Sequence, residues 1–127
     1  MDGIWEKLYR EAFNVIDPRE ISGSIYAGSV GAAVLTAKGN IYTGICIDTN
    51  CSLGMCAERN ALSSMISCGE DEAERVVAVY RDGEVMPPCG ACREFMMQLK
   101  NGRNIQIMLD RSGRVKRLEE LMPEYPY

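Results

Sequence analysis

Residues 29–48 read "SVGAAVLTAKGNIYTGICID". Two runs of small and β-branched residues flank "KGN" at 38–40, which predicts two strands joined by a tight turn. The alanines and glycines of these strands leave room for something packed closely on the sheet. Working outward from this hairpin sets the fold. Upstream, Ile4, Trp5, Leu8, Ala12, Phe13 and Ile16 recur with helical spacing behind a capping Asp2. That predicts a helix over 2–17, ended by "DPRE" because Pro18 disfavours helical geometry at Asp17. Downstream, an irregular loop at 49–55 leads to a helix over 56–67, stopped by Gly69. "RVVAVYR" predicts a third strand covered on both faces, and a helix follows over 89–100. "NIQIMLD" and "RVKRL" predict the fourth and fifth strands, and "LEELMP" a short last helix.

The expected order is αββαβαββα, a three-layer α-β-α sandwich around a mixed five-stranded sheet. The last two strands are joined only by "RSG", too short for a parallel crossover, so they are expected to run antiparallel. No repeat, linker or low-complexity stretch interrupts the 127 residues, so one domain over 1–127 is expected. The net charge of −4 gives no general pull toward nucleic acid or anionic lipid. No apolar run approaches the roughly 18 residues a membrane helix needs. The opening residues carry charges throughout, unlike a signal peptide, which points to a cytoplasmic protein.

Six cysteines and no histidine narrow the chemistry. In a reducing compartment such thiols serve metals or catalysis more often than disulfides. Without imidazole, proton transfer falls to a carboxylate, thiol, lysine or tyrosine. "GMCAERNA" at 54–61 and "PPCGACRE" at 87–94 each place cysteine at the start of a helix. Thiolates are stabilised there by the helix dipole and by unpaired N–H groups. Cys89 and Cys92 alone fit a redox pair or two buried thiols as well as a metal site. Joined by Cys56, they form a three-sulfur set suited to zinc, with a fourth position left open for chemistry. Three thiolates leave a zinc site at net −1, and Arg59, one turn beyond Cys56, can offset that charge. Glu58 is then placed to take a proton from water and hand it on.

"CAE" followed by "PCGAC" resembles the zinc-dependent cytidine deaminases, small members of which bind zinc through three cysteines. "VGAAVLT", "GNIYTG", "CAERNAL", "PCGACRE" and "LEELMP" follow the family's order. The resemblance implies that Cys56, Cys89 and Cys92 hold Zn2+ and that Glu58 shuttles protons. Arg59 would neutralise the sulfurs, and the backbone at Ala57 would help hold the base. It implies a small cytosine-containing substrate, converted to its uracil form with release of ammonia, and a homo-oligomer, tetramer or dimer. The sugar-reading positions depart from the family's pattern. A stacking phenylalanine is replaced by Gly28, an asparagine by Cys46 and a glutamate by Asp48. A cytidine or deoxycytidine enzyme with an altered ribose site fits, and so does a relative of the blasticidin S deaminases acting on a different cytosine compound. Tyr125 or Tyr127 would supply the family's C-terminal aromatic.

Two other readings stand beside these. Cys51 as a fourth sulfur would close the site and make a structural zinc module, which would leave Glu58 without a task. The basic segment "RSGRVKR" at 111–117 would serve a nucleic-acid editing deaminase. Overall acidity argues against that, and an edge hairpin charged against aggregation explains the segment as well.

Overall fold

The computed structural model describes residues 1–127. In chain order it contains α1 (Gly3–Asn14), β1 (Arg19–Ser22), β2 (Ile25–Thr36), β3 (Ile41–Thr49), α2 (Ala57–Ser67), β4 (Ala73–Tyr80) and α3 (Gly90–Met97). A 3-10 turn (Gly102–Asn104), β5 (Gln106–Met108), β6 (Val115–Arg117) and α4 (Leu118–Leu121) follow. The hairpin forms as expected, with β2 and β3 antiparallel from Leu35↔Ile41 to Ile25↔Thr49. On the other edge β2 pairs antiparallel with β4. β4 runs parallel to β5 by a crossover through α3, and β5 and β6 are antiparallel.

The sheet is mixed, with helices on both faces, but it has six strands and not five. The added strand is β1, which pairs with the start of β2 at Arg19↔Ala27 and Glu20↔Tyr26. All four of its residues are exposed. With no buried face it shows no alternation of apolar and polar residues, so periodicity could not reveal it. α1 ends at Asn14, short of the expected 17, because the chain turns into the sheet where the Asp17 N–H donates to the Gly28 carbonyl at 3.0 Å. α3 ends at Met97, short of 100. The chain then turns through left-handed Asn101 so that Gly102 lies against the Met96 carbonyl, where no side chain fits.

The layers follow from the residue pattern. Trp5, Leu8, Tyr9 and Ala12 of α1 pack on Ala33, Val77, Val79 and Met108. Ala57, Ala61, Leu62 and Met65 of α2, with Cys92 and Met96 of α3, pack on Ala32, Val34, Val76 and Ala78 of the opposite face. Alternate residues of β4 thus enter different cores, which is why it reads as a run of valines. Each fully buried valine or leucine contributes about 1.5–3 kcal/mol. Small residues set the spacing: a Cβ at Gly31 would strike the Ala12 carbonyl, and one at Gly44 would strike the first turns of α2. The α2 layer therefore lies close on the sheet, and the first turns of α2 and α3 come together.

The basic segment 111–117 forms the turn after β5 and the edge strand β6. Its arginines are engaged within the chain. Arg111 lies over the Tyr9 ring at 3.9 Å, Arg114 bonds Asp110 at 3.0 Å, and Arg117 pairs with Glu119. No helix is long and apolar enough to cross a membrane.

Candidate active site

Cys56 is the N-cap of α2 and Cys89 the N-cap of α3, both with extended backbone. Neither thiol caps its own helix, so both sulfurs are left for another use. Cys92, in the first turn of α3, completes the group. The three Sγ atoms lie within 4.8 Å of one another, with Cys56 and Cys89 at 3.4 Å. Three sulfurs each bound at about 2.3 Å to a tetrahedral zinc would stand roughly 3.8 Å apart, so the set fits that metal. Cys51 is not part of the cluster; its thiol is exposed and lies 3.4 Å from Thr49 Oγ1. The open fourth position expected of a catalytic site is thus not closed by a further sulfur.

The electrostatics of the group ask for a cation. Burial pushes the Cys92 thiol up strongly, and the Glu58 charge and the neighbouring thiols push it further. Burial also raises Cys56, although the Arg59 guanidinium works against it. Burial alone would raise Cys89 too, but the Cys92 N–H and the other two thiols outweigh it, so Cys89 ionises most readily. Arg59 Nη2 donates to Cys56 Sγ at 3.8 Å, and that bond holds the guanidinium proton more tightly. Glu58 is only 5 % exposed. Its burial raises the carboxyl above the ordinary carboxylate range, against its own backbone N–H and the Arg59 charge. Such a carboxyl exchanges protons nearer neutrality than a solvated one.

Backbone and side-chain bonds hold these parts in place. Asn60 Nδ2 donates to the Ile45 carbonyl at 2.9 Å, tying α2 to β3. Arg93 Nε donates to the Pro88 carbonyl at 2.9 Å and Nη1 to Leu121 at 3.3 Å, fixing the turn that presents Cys89. Met55 and Ile47 exchange two backbone bonds of 2.9 Å, which pin the loop before Cys56 to β3.

A cavity of about 460 Å³ opens on this centre. Cys56, Ala57, Glu58 and Cys89 line the end of it next to the sulfurs. Cys46 and Asp48 of β3 line the same cavity, so the sequence-predicted substrate residues Cys46, Asp48 and Ala57 are brought together with Glu58. Ala57 is fully buried. The Cys46 sulfur accepts the Val30 N–H at 3.3 Å. Asp48 also borders a second cavity of about 300 Å³, shared with Glu20, Tyr26 and Thr49. Gly28 does not line the catalytic cavity. It sits at φ +91°, where a Cβ would collide with the Asp17 carbonyl. Tyr125 and Tyr127 also lie away from the cavity, edge to face at 5.8 Å, with Tyr125 bonded to Gln98.

Tyr80, Val30 and Met86 line the cavity although the sequence reading did not single them out. The signal for Tyr80 was strand parity, since Val76, Ala78 and Tyr80 share one face of β4. Arg93 carries no local sequence signal, because its role depends on where α4 returns to meet it.

The family model described as "cytidine and deoxycytidylate deaminase zinc-binding region" matches residues 6–108. A probable cytidine deaminase of Dictyostelium discoideum is 35 % identical over 97 residues, covering 74 % of this chain and 65 % of that protein. A blasticidin-S deaminase of Bacillus cereus is 30 % identical over 105 residues, covering 74 % of each. The crystal structure of cytidine deaminase from Mycobacterium tuberculosis superposes with a TM-score of 0.82 at 27 % identity, covering 99 % of both chains.

Proposed function

The chain belongs to the cytidine and deoxycytidylate deaminase zinc-binding family, and we propose that it is a zinc-dependent hydrolytic deaminase of a cytosine nucleoside. The observation that carries the reading is a cavity ending at buried Glu58 beside three converging sulfurs. Cys56, Cys89 and Cys92 would hold the zinc, which when bound would supply Lewis-acid activation of water near neutral pH. Arg59 offsets the excess negative charge of the sulfurs. The Ala57 backbone holds the base edge. Glu58 would take one proton from water and deliver it to the ring nitrogen; it would then take the remaining proton of the attacking oxygen and pass it to the amine. The hydroxyl oxygen becomes the carbonyl of a uracil-type ring, and ammonia leaves. Burial serves this exchange, because it raises the carboxyl above its ordinary value and so makes it a better proton acceptor than a solvated carboxylate.

A second reading, deamination of another cytosine compound such as blasticidin S, is favoured by Cys46 and Asp48 at the sugar end and by the Bacillus cereus relative. Residues 1–127 are read as one deaminase domain working as a homo-oligomer, dimer or tetramer. Cys46, Cys51 and Cys68, free thiols outside the sulfur cluster, support a reducing, cytoplasmic setting, and the deaminase reading carries a role in pyrimidine salvage with it.

The test is to measure bound zinc and ammonia release from cytidine, deoxycytidine and blasticidin S. Glu58→Gln should retain zinc while kcat falls by roughly 10²–10⁴. A glutamine variant as active as the parent refutes the mechanism.

A further inference from the structure

Tyr80, the last residue of β4, is the single aromatic among the residues that line the catalytic cavity. The sheet fixes its position. Tyr80 stands directly opposite Val30 across β2 and β4, and both side chains line the cavity. It shares its face with Val76 and Ala78, which pack beneath α2 and α3. Its backbone is held by a bond from its N–H to the Glu84 carbonyl at 2.8 Å, and the Arg81 guanidinium lies 5.5 Å from the ring centroid. The ring is half-buried and anchored. The other walls near it, Val30, Ala78 and Met86, are aliphatic or small. Gly28, on the neighbouring strand, cannot carry a ring without meeting the Asp17 carbonyl. One π surface is therefore available to a planar base.

We infer that Tyr80 is a positioning residue whose ring forms the wall against which the substrate's pyrimidine packs. The inference rests on the deaminase reading above. Aromatic rings prefer offset stacking or edge-to-face contact, and losing such a contact with a base weakens binding by roughly five- to a hundredfold. The contact is made to the ring and not to the reacting carbon, so its loss falls on ground state and transition state alike. That raises KM and leaves kcat largely in place.

The experiment compares zinc-loaded parent, Tyr80→Leu and Tyr80→Phe on whichever of cytidine and blasticidin S the parent turns over faster. Binding of the deaminated product is measured by calorimetry. Tyr80→Leu keeps an apolar wall but removes the π face. It should raise KM and weaken product binding by about tenfold, with kcat changed far less. Tyr80→Phe should restore most of that loss. Thermal melting checks folding, and Tyr80→Met supplies the same comparison if the leucine variant is unstable. An active parent with a leucine variant of unchanged KM and product affinity overturns the inference alone. So does a loss confined to kcat, or a phenylalanine variant as weak as leucine. A parent that turns over no cytosine compound overturns the deaminase reading, and this inference with it.

Discussion

Gly44→Ala tests whether the distance between α2 and the sheet sets the geometry of the centre. A Cβ at Gly44 would lie 2.8 Å from the Ala57 carbonyl oxygen and 2.8 Å from Asn60 Cβ, with the Ala61 amide nitrogen closer still. Two of these atoms are helix backbone, so no side-chain rotation relieves the clash. Ordinary contact begins at 3.4 Å, so α2 must withdraw by roughly 0.6–1 Å. Overpacking of this kind costs about 1–3 kcal/mol. For a domain of this length that lowers Tm by roughly 3–12 °C. The functional cost is larger in proportion. α2 carries Cys56 and Glu58, whereas Cys89 and Cys92 ride on α3, so the shift separates the two halves of the centre. A misplacement near 1 Å costs on the order of 10²-fold in rate. The assay is kcat/KM for ammonia release, with zinc content and melting temperature on the same samples. Gly90→Ala is the control. It stands between ligand residues in the sequence, but a Cβ there meets nothing within 4 Å. Its activity should stay within about twofold of the parent. A Gly44→Ala enzyme with parental kcat/KM refutes the reasoning, as does a Gly90→Ala enzyme equally damaged.

Chelation followed by dialysis should abolish turnover and lower Tm, and stoichiometric zinc should restore both; metal analysis before and after checks this. Arg59→Ala removes the donor to Cys56 Sγ and should cut kcat or zinc retention by roughly 10–100-fold, the worth of a charge-assisted hydrogen bond, read by kinetics and by zinc release to a colorimetric chelator. Cys51→Ser should leave zinc content unchanged and activity within about twofold, because its thiol lies outside the sulfur cluster; a lost metal would overturn that placement.

How far the sequence could be read depends on how local each feature is. The β2–β3 hairpin was legible because the "KGN" turn and the two flanking runs of small and β-branched residues lie within twenty residues. The antiparallel pairing of β5 and β6 followed from the shortness of "RSG" alone. The same holds for the sulfurs. Cys56 with Glu58, and Cys89 with Cys92, are pairs within single helix tips, and only their meeting in space had to be supplied by the fold. β1 escaped because a strand with every residue exposed carries no hydrophobic period. The early end of α3 escaped because it depends on Gly102 packing back against Met96, a contact the helical pattern of Phe95, Met96 and Leu99 does not announce.

The substrate side resists reading for a further reason: its residues act through register and not through type. Cys46 shows this. Set against an amide in the family's pattern, it looks like a polar group traded for a poorer one. In the fold its sulfur accepts the Val30 N–H. That bond falls where the β2–β3 register shifts, between Ala27 and Gly31. A bulge leaves a backbone donor without a strand partner, and an unpaired donor at a half-buried site costs about 1–3 kcal/mol. Cys46 thus shapes the sheet as well as facing the cavity, and a substitution there disturbs the position of Val30 along with any contact to substrate. Gly28 belongs to the same bulge, where the Asp17 carbonyl excludes a side chain. Two of the three changed positions therefore share one backbone irregularity. A comparison residue by residue treats them as independent losses, whereas the structure ties them to a single local rearrangement of β2.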